Sequence, residues 1–298
     1  MSNPRIPYRM SSERPALPTM DGKRILVNLV VNVENWQFDQ PMPRTIITPP
    51  HGRETVPDVP NFSWADYGMR AGLPRILKLF ADRGLPASTS INAGVIAAYP
   101  QAAEAMRNAG WEFIGHGLHQ RALNHSGTGE AELVAETIRL IRDFTGAPVR
   151  GWLSPGLRES LETPEILKQS GVDHVFDWVV DDLPSWIDTS EGPLMAMPYN
   201  LEINDSIVYA IEKHATGEML NRLTRTLELF RTEASDNPRV LAIGLHPHLQ
   251  GVPHRLQELA DMVDLLRSCD DVLFTTGSAI ADWYATAEPA PGRVDGEA

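Results

Sequence analysis

The sequence predicts an α/β fold, a variant (β/α) barrel of about seven parallel strands, on three observations. Strand-like and helix-like stretches alternate along nearly all of the 298 residues, the pattern of a parallel sheet with helices outside it. The first strand, residues 24–33, is a near-continuous apolar, β-branched run, as expected of a strand covered on both faces. No glycine-rich phosphate turn follows that strand, whereas polar side chains capable of chemistry stand just after several separate strands, as at a barrel mouth.

The elements follow in order. The first strand ends at Glu34, and a polar, proline-rich loop runs on through Asn61. Residues 72–83 carry Leu73, Ile76, Leu77 and Phe80 at helical spacing, and Gly84 stops that helix. A short strand at 87–92, a helix at 95–109 and a strand at Glu112–Gly115 come next. The alternation continues with a helix near 129–145, a strand near 149–153, a helix near 163–170 and a strand at 173–176. After a looser middle holding 194–197 and 207–209, helix 217–234 leads to strand Arg239–Leu245, helix 253–268, strand Val272–Thr275 and helix 278–284. No repeat or low-complexity linker interrupts this, so one domain over 23–286 is expected. Residues 1–22 and 287–298 read as arms that fray or pack on a neighbouring subunit.

Composition restricts the function. A 42% hydrophobic, 22% charged chain supports a packed core, and a formal net charge of −13 argues against nucleic acid or an anionic membrane as partner. A small-molecule substrate is expected, and an acidic one would need a local Arg or Lys. No apolar run reaches the roughly 18–20 residues of a membrane span, and residues 1–20 are polar and proline-bearing, so the expected compartment is the cytoplasm. Cys269 is the single cysteine, which leaves no intramolecular disulfide and no thiolate cluster.

In a parallel barrel the residues after each strand converge: Glu34 and Asn35, His116 and Gln120, Ser154 and Pro155, residues 177–182, and His246. Each also has a plain structural reading. Glu34 could be a solvated cap, although it ends a fully apolar strand. His116 sits between Gly115 and Gly117, which allow close backbone approach. His119, His125 and His248 point less clearly to the site. Asp177, Asp181 and Asp182 interleave with Trp178 and Trp186, as in a partly buried wall, and Arg70 either caps the following helix or binds an anionic group.

Seven stretches in order carry a resemblance: Asn32-Val33-Glu34, Tyr67-Gly68-Met69-Arg70-Ala71-Gly72, His116-Gly117, Gly151-Trp152, Asp181-Asp182-Leu183-Pro184, Pro198-Tyr199 with Asn204-Asp205, and Ile243-Gly244-Leu245-His246 followed by Gly251, Pro253 and Arg255. Over residues 23–284 the chain resembles the polysaccharide deacetylase superfamily, in its allantoinase-like, cyclic-imide-hydrolase-like branch. That resemblance implies a hydrolase of carbon–nitrogen bonds in which Glu34 takes a place in the acidic motif, His116 the first histidine of His-x-x-x-His, and His246 the acid for the leaving group. Asn35 stands where a second acid would be and Gln120 replaces the second histidine, so the implied cofactor is none or a weakly held divalent metal such as zinc, on Glu34, His116 and Gln120. Without a metal, Glu34 serves as base, His116 and Gln120 as donors to the developing oxyanion, and His246 as acid. Asn32, Asn35, Arg70, Asp182, Trp152 and Trp186 complete the expected substrate contacts. The resemblance also implies a homo-oligomer, a tetramer or dimer. The alternatives are a metal-dependent carbohydrate N-deacetylase and an inactive ligand-binding barrel.

Overall fold

The structure is a computed structural model that describes residues 3–49, 52–53, 55–123, 129–234 and 237–291. Nine strands form one curled sheet: β1 (Ile25–Val33), β2 (Ser88–Ile91), β3 (Glu112–Gly115), β4 (Gly151–Trp152), β5 (His174–Val175), β6 (Ser185–Ile187), β7 (Leu194–Ala196), β8 (Arg239–Leu245) and β9 (Val272–Thr275). Their order is β6-β7-β5-β4-β3-β2-β1-β8, with β9 beside the first half of β1. All pairings are parallel except β6 with β7.

The predicted barrel is therefore right in type and short in strand count. β6 escaped the reading because three residues ending at a proline-flanked turn carry no periodicity. Between β8 and the other end of the sheet stand irregular segments: Val240 N donates to Asp182 O at 2.9 Å, Ala242 N to Asn200 Oδ1 at 2.7 Å, and Asn204 bridges to Gly244.

The helices are α1 (Val59–Tyr67), α2 (Leu73–Arg83), α3 (Gly94–Ala98), α4 (Pro100–Asn108), α5 (Glu130–Thr145), α6 (Thr163–Gln169), α7 (Glu218–Glu233), α8 (Pro247–Gln250), α9 (Pro253–Arg267) and α10 (Gly277–Ala287). Helix 95–109 of the sequence reading is two helices, because Pro100 cannot donate into a helix interior and starts α4 instead. α1 begins inside the segment read as loop and runs six residues past its end; Asp58 caps it, accepting from Asn61 N at 3.3 Å. β1 is buried at every position, and its alternate residues feed two cores: Ile25, Val27, Leu29, Val31 and Val33 face α2, α7 and α9, whereas Leu26 and Val30 face the interior with Phe176 and Tyr199.

The N-terminal segment packs on its own barrel rather than leaving as a free arm. Leu17 joins the interior core, Arg14 is buried with its guanidinium on Asp181 (2.9 Å) and Ser185 (2.7 Å), and Arg5 is held bidentately by Glu165. No helix among the described residues is long and apolar enough to cross a membrane.

Candidate active site

The C-terminal ends of β1 and β8, paired in register up to Val31 and Leu245, deliver Glu34 and His246 to the same place. His246 Nε2 lies 3.5 Å from Glu34 Oε1, and its Nδ1 lies 2.6 Å from Asp205 Oδ1. Asp205 Oδ2 also accepts the His246 backbone N–H at 2.6 Å, so both of its oxygens fix the histidine. Acceptors at both ring nitrogens require the imidazolium. Burial opposes that charge, but the carboxylates of Asp205 and Glu34 outweigh it and raise His246 to about 9. Burial likewise pushes the Glu34 carboxyl up, and the cation of His246 reverses the effect, holding it at about 2. At neutral pH the site thus holds a carboxylate against a protonated imidazole.

Beside this pair, His116 hangs from the end of β3. Its Nδ1 lies 2.5 Å from Leu153 O. A carbonyl can only accept, so Nδ1 carries the proton, and burial keeps the ring neutral. Nε2 is then a bare acceptor. The expected role of His116 as an oxyanion donor is corrected on this ground; its free nitrogen receives a proton or a donor. Gln120 lies beside the ring with its Oε1 buried and without a partner. His248, on α8, is buried among Trp64 (ring centres 4.5 Å apart), Trp36 (5.5 Å) and His246 (5.7 Å), and burial holds it at about 3.

These groups open into a cavity of about 710 Å³, within the range of small-molecule sites. Glu34, Gln120, His246 and His248 line it, and so does Trp36, whose Nε1 donates to Glu34 Oε2 at 2.7 Å.

Supporting residues tie neighbouring strand ends together. Asn92, after β2, accepts from Asn35 N (2.8 Å) and donates to His116 O. Asn35 is not a substrate contact: its amide meets His119 Nδ1 at 3.1 Å, and its carbonyl accepts Gln120 N at 3.2 Å, which sets Gln120 in place. Asn32 is likewise internal, donating to Tyr199 Oη (2.9 Å) and Leu245 O (3.2 Å) across the β1–β8 junction. After β4 and β5, Asp177 Oδ1 accepts Ser154 N at 2.8 Å.

Four predicted contacts lie elsewhere. Trp152 is fully buried, its ring against Gly115, where an added Cβ would sit 2.4 Å away; it fills the core rather than walling the cavity. Trp186 faces a separate surface cleft with Arg14 and Tyr284. Asp182 serves through its backbone carbonyl between β6 and β8. Arg70 is 75% exposed and paired to Asp66 at 2.5 Å. What its motif supplies is glycine: a Cβ on Gly68 would come within 2.5 Å of His248 N, and one on Gly72 within 2.0 Å of Pro247 O. His125 lies outside the described residues.

The sequence reading gave no role to Asp205, although Asn204-Asp205 stood in a matching stretch, nor to Trp36, which the period-two offset from Glu34 could have placed. Arg44, Arg121 and Arg158, which also line the cavity, carried no signal, since nothing local tells an arginine in a loop that it faces a site.

A divalent metal fits these residues poorly. No group of three His, Cys, Asp or Glu among the described residues is placed to hold one. Both oxygens of Glu34 already face N–H donors, one of them cationic, and only an amide stands where zinc would need a third strong ligand.

Comparison with known proteins bears on this geometry. The polysaccharide deacetylase family model matches residues 62–175. A Schizosaccharomyces pombe protein classed as a polysaccharide deacetylase is 26% identical over 247 residues, 75% of this chain and 76% of its own length. The peptidoglycan deacetylase of Helicobacter pylori is 26% identical over 156 residues, a match spanning 52% of this chain and about half (53%) of that relative. The crystal structure of Puue allantoinase superposes with a TM-score of 0.81 at 26% identity, covering 94% of this chain and 96% of that one. A Pseudomonas aeruginosa PAO1 protein classed as a polysaccharide deacetylase gives 0.80 at 27% identity, with 94% and 97% covered. Curled sheet and strand-end residues agree with these likenesses: residues 62–175 match the polysaccharide deacetylase family model, and the fold over 94% of the chain is that of the two structures.

Proposed function

We propose that the chain hydrolyses a carbon–nitrogen bond of a small cyclic amide, ureide or imide, using its own side chains rather than a resident zinc. The observation that carries this reading is the Asp205–His246–Glu34 chain facing a cavity of about 710 Å³. Likeness to an allantoinase structure over most of both chains supports the substrate class.

The proton inventory defines the steps. Water attacks the carbonyl carbon and gives one proton to Glu34; the carbon–nitrogen bond breaks as His246 gives its proton to the nitrogen. Glu34 is a weak base only while the His246 cation stands beside it. Proton transfer from His246 removes that cation, so the carboxylate gains proton affinity as it is needed. Across the 3.5 Å gap, protonated Glu34 then returns the proton to His246. Trp36 excludes bulk water and steadies Glu34.

The test is turnover of hydantoins, ureides, cyclic imides and N-acetylated amino sugars by the purified protein, read as released acid or amine, before and after chelator treatment. Ring opening that survives the chelator is the expected result. Turnover confined to acetylated sugars, or activity lost to the chelator and restored by zinc, overturns the proposal in favour of a carbohydrate N-deacetylase, the reading that the name of the Helicobacter relative favours.

A further inference from the structure

Arginines in this acidic chain are mostly neutralised. Thirteen among the described residues hold a carboxylate within 4.0 Å, from Arg5 on Glu165 to Arg267 on Asp264. Arg44, Arg121 and Arg158 have no such partner among the described residues, and all three line the one cavity that contains Glu34 and His246.

They arrive from three separate strand ends. Arg44 lies in the long loop after β1 and is anchored by donation to Ser206 Oγ at 2.6 Å, next to Asp205. Arg121 directly follows Gln120. Arg158 follows a turn whose Gly156 (φ +68°) and Leu157 (φ +56°) both adopt left-handed backbone. For Leu157 that conformation is unfavourable, so surrounding structure holds it there. Glu34 is the sole carboxylate lining the cavity among the described residues, and His246 already balances it. Three unneutralised guanidiniums therefore dominate the cavity's field, inside a protein whose net charge of −13 repels anions elsewhere.

We propose that the substrate carries an anionic group, a carboxylate or its equivalent, bound by Arg44, Arg121 and Arg158 while its amide meets Glu34 and His246. The inference rests on the hydrolase reading for the second half of that sentence only; the anion site stands on its own geometry. Guanidinium groups suit a planar carboxylate because they donate paired N–H bonds to it. Such a site also selects: an isosteric neutral substrate leaves the three cations solvated but unused and gains nothing from them. The field additionally guides the anion past an acidic surface, so its capture weakens with salt.

Two measurements test this separately. In the first, hydantoin-5-acetate and its neutral analogue hydantoin-5-acetamide are compared as substrates of the wild type and of Arg44→Gln, Arg121→Gln, Arg158→Gln and the triple variant, with Arg70→Gln as an exposed control outside the cavity. The wild type is expected to favour the carboxylate roughly 10- to 150-fold in kcat/KM, through KM, and the triple variant to bring the ratio near one. Equal handling of the two by the wild type overturns the proposal. In the second, succinate, which has no bond to cleave, is titrated and thermal stability is read. A rise in melting temperature in the wild type and Arg70→Gln that the triple variant lacks supports the anion site even if no hydantoin is opened, in which case the hydrolase reading alone fails. No rise in the wild type, or an equal rise in the triple variant, removes the anion site even if the hydantoins are opened.

Discussion

Two buried carboxyl clusters lie at strand ends of the same sheet, and they ionise in opposite directions. After β1 and β8, Glu34 is held at about 2. After β4 and β5, Glu159, desolvated and beside Asp177, is pushed up to about 9. Burial acts upward on both. The difference is the partner: Glu34 faces an imidazolium that Asp205 keeps charged, whereas Glu159 faces another carboxyl and accepts from Trp178 Nε1 at 2.8 Å. A cation converts a buried acid from a proton holder into a fixed negative charge, and only the first cluster lines the cavity. One pair is arranged for chemistry and the other for keeping a proton.

Removing the cation breaks this contrast most severely. His246→Ala is expected to lower kcat on the true substrate by about 10²–10⁴, the usual worth of a positioned acid, and to let the Glu34 carboxyl rise toward the range of Glu159. Carbon-13 titration of Glu34 in the folded variant checks the second half; an unmoved Glu34 would show that His246 is not what holds it down.

Asp205→Asn sharpens the same point with a smaller effect. Wild-type activity is expected to fall as pH rises through about 9, where His246 loses its proton. An adjacent anion favours the protonated form, so the amide moves that alkaline limb to lower pH, and the pH dependence of kcat/KM reads the shift.

Next in size comes Gly68→Ala. The added Cβ meets backbone of the turn that carries His248, with no flexible side chain to give way. A loss of about 1–3 kcal/mol, the usual cost of overpacking, is expected in denaturant unfolding.

Glu159→Gln has the smallest effect and the opposite sign. The folded state retains a proton that the unfolded chain releases above about 4.5, so the wild type loses stability as pH rises from there toward about 9. The amide has no proton to retain. Melting temperatures of the two proteins should diverge from pH 5 to pH 8, the wild type falling relative to the variant. Parallel curves would mean that Glu159 is ionised in the fold.

How much of this was legible follows from range. Glu112–Gly115, Arg239–Leu245 and Val272–Thr275 stand where the sequence puts them, because each is an apolar run bounded by turn residues. Glu34 and His246 were legible because a parallel barrel brings strand ends together whatever their separation in the chain. The π-helical turns at Gly68–Gly72 and Ser206–Ile211 were not, since neither has a local period to read, and the second sets up Asp205. Trp152 was misplaced because a tryptophan at the end of a strand reads the same whether it fills a core or borders a cavity; the glycine facing it at 115 decides the matter only in three dimensions.

The sheet's last interval, between β8 and β6–β7, is spanned by Asp182, Asn200 and Asn204 in place of a strand. This seam hides the outer border of β8 from any foreign strand that could add to it. It also runs directly into Asp205, one residue beyond Asn204, whose side-chain Oδ1 accepts Ser206 N at 2.9 Å and so brackets the aspartate. The join that closes the molecule is the join that orients its acid. Amides such as Val240 N and Ala242 N should therefore exchange with solvent at a rate that tracks loss of function, because the molecule cannot open there and stay competent.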